Sequence, residues 1–190
     1  MNNFVTPKSY WDEAARTNPF GTILDTYNEE EFWKYQPELP GLKNDMLFLD
    51  FGCGIGRIAR SISPLVKEYH GVDYSVEMIA KAKEYHKDYS NVQFFANSGC
   101  DLSIFEDNKF DFIFECLVFI HVPKEQIIKY VNEIYRILKS GGTIYTVNFP
   151  SQKSYENGFS SEEIHEIFKN FGKINIKERN EWMYLIQCSK

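Results

Sequence analysis

The 190-residue chain reads as an α/β protein. The expected fold is a doubly wound, mostly parallel seven-stranded sheet with an antiparallel last strand and a helical N-terminal lid. Three observations predict it. Short apolar segments alternate with stretches of helical periodicity from Met46 to Phe149, as parallel strands joined by crossover helices require. The first apolar segment ends in Asp50 and then in three glycines at alternate positions, Gly52, Gly54 and Gly56, the signature of a buried strand turning sharply into a helix. The last two apolar segments lie too close together for a crossover and should pair as an antiparallel hairpin on the sheet edge.

Strands are expected at 46–51, 68–73, 92–96, 110–116, 143–149, 173–178 and 182–188. Helices fit between them at 56–62, 76–85 and 124–138, with one more at 160–171. In the third, Ile127, Ile128, Val131, Ile134, Tyr135 and Leu138 recur at helical spacing and form a core face. Pro123 suits its first turn. Ser160 or Ser161 opens the last helix, with Glu163 placed for a capping box. Residues 9–42 precede this pattern and hold Tyr10, Trp11, Phe20, Tyr27, Phe32, Trp33 and Tyr35. They read either as helices packed on the sheet or as a lid, with Tyr10 and Trp11 as the lid candidates.

The bulk numbers describe an ordinary globular chain. At this length one domain over 1–190 is expected, with 1–42 as the lid segment and 43–190 as the core. No apolar run approaches the ~20 residues that span a bilayer, and the N-terminus shows no basic and apolar leader pattern. The four cysteines, Cys53, Cys100, Cys116 and Cys188, form no C-x-x-C pair and read as structural thiols, so a cytoplasmic location is expected. The net charge of −6 and the absence of a Lys/Arg cluster disfavour nucleic acid as a partner. No His, Cys and carboxylate group has metal spacing, so no metal is expected.

Chemistry concentrates at the glycine turn. Asp73 closes the second apolar segment about 20 residues further on, where such folds place a carboxylate for ribose hydroxyls. A dinucleotide site wants G-x-G-x-x-G with helix amides facing a pyrophosphate. Here the spacing is G-x-G-x-G and Arg57 stands where the third dinucleotide glycine would be. Asp50 would also sit badly beside a pyrophosphate, but it suits a cofactor carrying an ammonium and a sulfonium.

The run Leu49-Asp50-Phe51-Gly52-Cys53-Gly54-Ile55-Gly56-Arg57 resembles motif I of the class I S-adenosylmethionine-dependent methyltransferases. The resemblance continues in order. Gly71-Val72-Asp73-Tyr74-Ser75 resembles the second motif, Asn97-Ser98-Gly99-Cys100-Asp101-Leu102 stands at the adenine position, and the segment from Phe110 to Val122 resembles the fourth strand and the part facing the methyl group. Arg136-Ile137-Leu138-Lys139-Ser140-Gly141-Gly142 resembles the R-x-L-K-P-G-G helix ending, with Ser140 in place of proline. Trp11-Asp12-x-x-Ala15-Arg16-x-Asn18-Pro19-Phe20 more loosely resembles the segment that covers the cofactor in small bacterial members.

The resemblance implies S-adenosyl-L-methionine as cofactor, with S-adenosyl-L-homocysteine as product. Asp73 would hold the ribose diol, beside Tyr74. Gly52, Cys53, Gly54 and Gly56 would let the cofactor approach, and Asp50 would orient the turn or meet the cofactor's amino group. Met78 would cover adenine or ribose, or be a core methionine. Backbone amides from Gly99 through Cys100 and Asp101 to Leu102 would meet adenine, with either Asp101 or the Ser98 hydroxyl on its amino group. Glu115, Cys116 and Leu117 end the fourth strand at the crevice edge, where backbone atoms should touch the methionine moiety.

His121 follows, and its ordinary pKa suits a general base near neutrality. Its other reading is a histidine that bonds a loop or orients the acceptor. Glu115 would serve as base if it points into the cleft. The expected reaction is methyl transfer to an O or N atom of a small molecule. A protein or RNA methyltransferase, and a non-catalytic cofactor-binding regulator, are the alternatives. Intact glycine and Asp73 motifs report binding alone and do not separate them.

Overall fold

A computed structural model describes residues 6–18, 39, 41–99, 101–153, 158–180 and 183–190. The expectations on Phe20, Tyr27, Phe32, Trp33, Tyr35, Cys100 and Trp182 lie outside the described residues. The chain falls into two compact units: Pro7–Asn97, and Ser98–Lys190 together with the N-terminal Met1–Thr6. The first unit contributes three strands and the second four.

In the Pro7–Asn97 unit, helix α1 (Lys8–Thr17) comes first. Strand β1 (Leu47–Phe51) leads into the glycine turn, a short α2 (Ala59–Ile62) and a 3-10 turn at Ser63–Leu65. Strand β2 (Glu68–Asp73), helix α3 (Val76–Tyr85) and strand β3 (Val92–Ala96) complete it. The strand order is β3-β2-β1, all parallel, with Leu47 beside Glu68 and Asp73 beside Ala96. Phe48, Leu49, Tyr69 and Val72 are buried on these strands, as strands covered on both faces require. The helix expected from Gly56 starts only at Ala59, because Gly56 has φ +75°, outside the right-handed region.

In the Ser98–Lys190 unit, strand β4 (Phe110–Cys116) passes through a 3-10 turn (Phe119–His121) to helix α4 (Lys124–Ile137), strand β5 (Leu138–Pro150) and helix α5 (Ser161–Ile167). Strands β6 (Lys173–Asn180) and β7 (Met183–Ser189) follow. The order is β4-β5-β7-β6, with β4 and β5 parallel and β7 antiparallel to both its neighbours. The expected edge hairpin is present, with β6 outermost.

Strand β5 starts earlier than its apolar run because Leu138 pairs with Phe110 before a register shift brings Thr143 beside Phe112. Helix α5 stops at Ile167, short of the expected Phe171, so that the chain turns and buries both Phe168 and Phe171. Those rings join Phe149, Phe159 and Phe119 in one aromatic cluster with centroids 5.3 to 6.0 Å apart. On α4 the face Ile127, Val131 and Ile134 is buried as expected, while Ile128 is exposed. The capping box forms as read: Ser160 Oγ accepts from the Glu163 N–H, and the Glu163 carboxylate accepts from the Ser160 N–H.

Candidate functional site

The glycine turn is held from below by β2. The Gly52 and Cys53 N–H groups both donate to the Val72 carbonyl, at 2.8 and 3.0 Å, which fixes the turn on the strand that ends in Asp73. The three glycines then divide their work. A Cβ on Gly54 would meet nothing within 4 Å, so this backbone lies open to an approaching ligand. A Cβ on Gly56 would stand 2.6 Å from the Phe94 ring of β3 and 3.1 Å from His86. Gly56 is therefore a packing glycine. Gly71 is another, for its Cβ would meet Phe94 at 2.6 Å and the Cys53 sulfur at 2.8 Å.

Asp73 ties the turn to the start of α3. Its Oδ2 accepts from the Gly54 N–H at 2.9 Å, and its Oδ1 accepts from the Ser75 N–H at 2.9 Å. Burial raises its pKa above the usual carboxylate range, opposed by the backbone bonds from Ser75, Gly54 and Tyr74. Three backbone donors leave the carboxylate acceptor capacity for about one further hydroxyl. Tyr74 is half-buried, and its phenol is pushed up to about 12 by burial and then by Asp73 and Asp12.

Asp50 is buried and accepts a hydrogen bond from the Tyr69 hydroxyl of β2. That supports its reading as a residue that orients the turn. The Cys53 thiol is buried and raised well above its ordinary value, first by burial and then by Asp50. Met78 packs with Ala14, Ala15 and Ile55, with Trp11 and Tyr85 against the group, so its side chain belongs to a core seam. Trp11 joins that seam, while Tyr10 is half-exposed and meets the Trp11 ring edge-on at 5.1 Å.

In the Ser98–Lys190 unit the adenine-position loop is fastened to α4. The Tyr130 hydroxyl donates to the Gly99 carbonyl at 2.5 Å. The Leu102 N–H donates to Glu133 at 3.2 Å and its side chain is fully buried, so the expected Leu102 amide is already engaged. Asp101 is exposed, and hydrogen bonds from the Ser103 hydroxyl and then from its N–H, the latter at 2.7 Å, hold its carboxyl below the usual range. Arg136 clamps the same loop, donating to the Leu102 and Phe105 carbonyls and pairing with Glu133 and Asp107. Lys139 pairs with Asp111 at 2.8 Å. The R-x-L-K ending is thus a set of staples.

The end of β4 departs from expectation in two places. Glu115 is fully buried and turned onto its own chain: Oε1 accepts from the Val118 N–H at 2.6 Å and the Phe119 N–H at 3.2 Å. It shapes the turn that carries Cys116 and Leu117, and the condition for a base, an open carboxylate, is not met. Burial raises it from 4.5 to about 7. Leu117 sits at φ +63°, a strained conformation for a branched side chain, with its N–H bonded to the Val147 carbonyl. His121 Nδ1 lies 3.0 Å from the Thr6 hydroxyl, and the Thr6 N–H donates to the His121 carbonyl at 3.2 Å. Burial lowers the imidazole to about 4, which removes the near-neutral pKa expected of it. The geometry matches the loop-bonding reading.

Some site residues carried no usable signal. Asp73 and Ser75 form a local turn that their spacing allows, but the partner of Ser75 is Asp12, 63 positions away, with its Oδ1 2.6 Å from the Ser75 hydroxyl. The roles of Phe94, Glu133 and Thr6 are likewise set by distant chain. Among the described residues no His/Cys/Asp/Glu group could hold a metal ion.

Comparison with known proteins agrees with this architecture. A sterol 24-C-methyltransferase of Saccharomyces cerevisiae is 33% identical over 119 residues, covering 61% of this chain and 30% of the relative. Phosphoethanolamine N-methyltransferase 2 of Caenorhabditis elegans is 28% identical over 193 residues, covering 94% of this chain and 39% of the relative. The chain thus spans only about a third of the length of these relatives. The crystal structure of the N-methyltransferase NodS from Bradyrhizobium japonicum, in complex with S-adenosylhomocysteine, superposes with a TM-score of 0.72 at 17% identity, covering 100% of this chain and 99% of that one. At that identity the match shows the shared fold. Residues 48–142 match the family model described as a methyltransferase domain, from the heart of β1 to the start of β5, and the chain belongs to that family.

Proposed function

We propose that the chain binds S-adenosyl-L-methionine and transfers its methyl group to an O or N atom of a small molecule. One observation carries the cofactor assignment: the Asp73 carboxylate bridges the Gly54 and Ser75 amides beside a turn whose Gly54 faces open space. The residues fit the group, since a ribose hydroxyl can occupy the carboxylate's remaining acceptor site while Gly54 admits the chain above it. Asp50, bonded to Tyr69, supports the turn and adds negative charge suited to a cationic cofactor. The bound cofactor supplies an activated methyl group for in-line displacement. The protein's own task is to orient the acceptor and exclude water, and orientation of that kind is worth ~7–11 kcal/mol.

A dedicated base is not required for an amine that arrives deprotonated. Neutral His121, bonded to Thr6, is suited to orienting an acceptor. The small-molecule assignment rests on the relatives, which are named for sterol and phosphoethanolamine substrates. The net charge of −6 disfavours an RNA acceptor.

Calorimetric titration with S-adenosylmethionine, S-adenosylhomocysteine and NAD tests the reading. Saturable binding of the first two, abolished in Asp73→Ala, is the expected result. Uptake of NAD with no binding of either sulfur compound would overturn it.

A further inference from the structure

Helix α1 is joined to both turns that the cofactor assignment uses. Ala14 and Ala15 are small enough to bring it against Ile55, the residue between Gly54 and Gly56, and against Met78 of α3. Its polar side reaches the other turn. Asp12 Oδ1 accepts from the Ser75 hydroxyl at 2.6 Å, and Ser75 Oγ in turn accepts from the Met78 N–H at 3.2 Å. Ser75 is fully buried, and its own N–H donates to Asp73 Oδ1 at 2.9 Å. Arg16 adds an ion pair to Glu77 at 3.5 Å.

A serine hydroxyl has one proton. With that proton committed to Asp12, a lone pair is left to face the Met78 N–H, which fixes the side-chain rotamer at the α3 N-cap. The backbone of Ser75 is thereby held at φ −83° and ψ 112°, the orientation that aims its N–H at Asp73. Asp12 remains an ionised acceptor, its carboxyl held below the usual range by hydrogen bonds from Lys8 and Ser75. Without Asp12 the Ser75 hydroxyl regains its rotational freedom, and Asp73 loses a fixed donor.

We infer that Asp12 is a positioning residue: through Ser75 it sets the Asp73 carboxylate for the ribose, so that docking of α1 and affinity for the nucleoside rise and fall together. The inference rests on the S-adenosylmethionine reading. It moves the functional weight of the N-terminal helix from the aromatic Tyr10 and Trp11 to a carboxylate on its next position.

The test is binding of S-adenosylhomocysteine and of its 2′-deoxy analogue to the full chain, wild type against Asp12→Ala, Asp12→Asn and Lys8→Ala. Asp12→Ala should bind S-adenosylhomocysteine about five- to tenfold more weakly, because part of what the charge-assisted bond to Ser75 held fixed must then be ordered on binding. The loss should be smaller for the deoxy analogue, which offers Asp73 one hydroxyl fewer. Asp12→Asn keeps the acceptor oxygen and should stay within about twofold of wild type, as should Lys8→Ala. Hydrogen exchange of the α1 amides should slow on ligand binding in wild type and not in Asp12→Ala. Unchanged affinity in Asp12→Ala, or an equal loss for both ligands, overturns the inference while leaving the cofactor reading in place. Failure of the wild type to bind S-adenosylhomocysteine overturns both.

Discussion

Glu115 and His121 are six positions apart, and burial moves them in opposite directions. Between 4.5 and about 7 the folded state holds more of the Glu115 proton than the unfolded state does, so stability falls as pH rises through that window. Between 6.5 and about 4 the folded state holds less of the His121 proton, so stability falls as pH drops through that one. Each effect is about 3 kcal/mol beyond its window, and the two slopes oppose each other where the windows overlap. Glu115→Gln keeps an oxygen for the Val118 and Phe119 amides and removes the titration. Urea denaturation should show this variant gaining on wild type by a few kcal/mol at pH 8 and by little at pH 4. A gain independent of pH would show that the carboxyl is not raised. Neither shift was legible in the chain, because a pKa depends on what encloses the group, and sequence position says nothing of enclosure.

Local chemistry was the legible part of the elements. The Ser160 and Glu163 spacing specified a capping box, and the box is there, since cap and partner are three residues apart and need no third element. The glycine motif was read as three equivalent approaches to a ligand, and packing divides it otherwise. Gly56 and Gly71 exist for the Phe94 ring of β3, which the sequence places far from both. Gly71→Ala should cost about 2 kcal/mol in thermal or urea unfolding, the usual scale for overpacking. Phe94→Leu in that background should recover a good part of the loss, a non-additivity expected of groups in contact. Simple addition of the two single effects would mean that the ring is not the obstacle. Arg136 belongs to the same class: its motif was recognisable, yet the carbonyls of Leu102 and Phe105 that it clamps come from an irregular loop with no periodicity to read.

For the whole molecule, the net charge of −6 makes a concrete prediction. The chain should not retard transfer RNA in a gel-shift assay at micromolar concentration and physiological salt. Salt-sensitive retardation, with affinity falling steeply as salt rises, would reveal a basic surface and reopen the RNA-methyltransferase reading. Among the described residues no helix is long and apolar enough to cross a membrane. Strand and helix order, the antiparallel ending and the choice of Asp73 as the ribose candidate were legible along the chain. Those follow from periodicity, chain-breaking glycines and short-range spacing, which act within a few residues. That Asp12 meets Ser75, that Glu115 closes on its own turn and that a buried His121 is bonded to Thr6 is visible only once the chain is packed. Those outcomes depend on which distant segments the packed core brings within hydrogen-bond reach and which groups it removes from water. No local pattern encodes either.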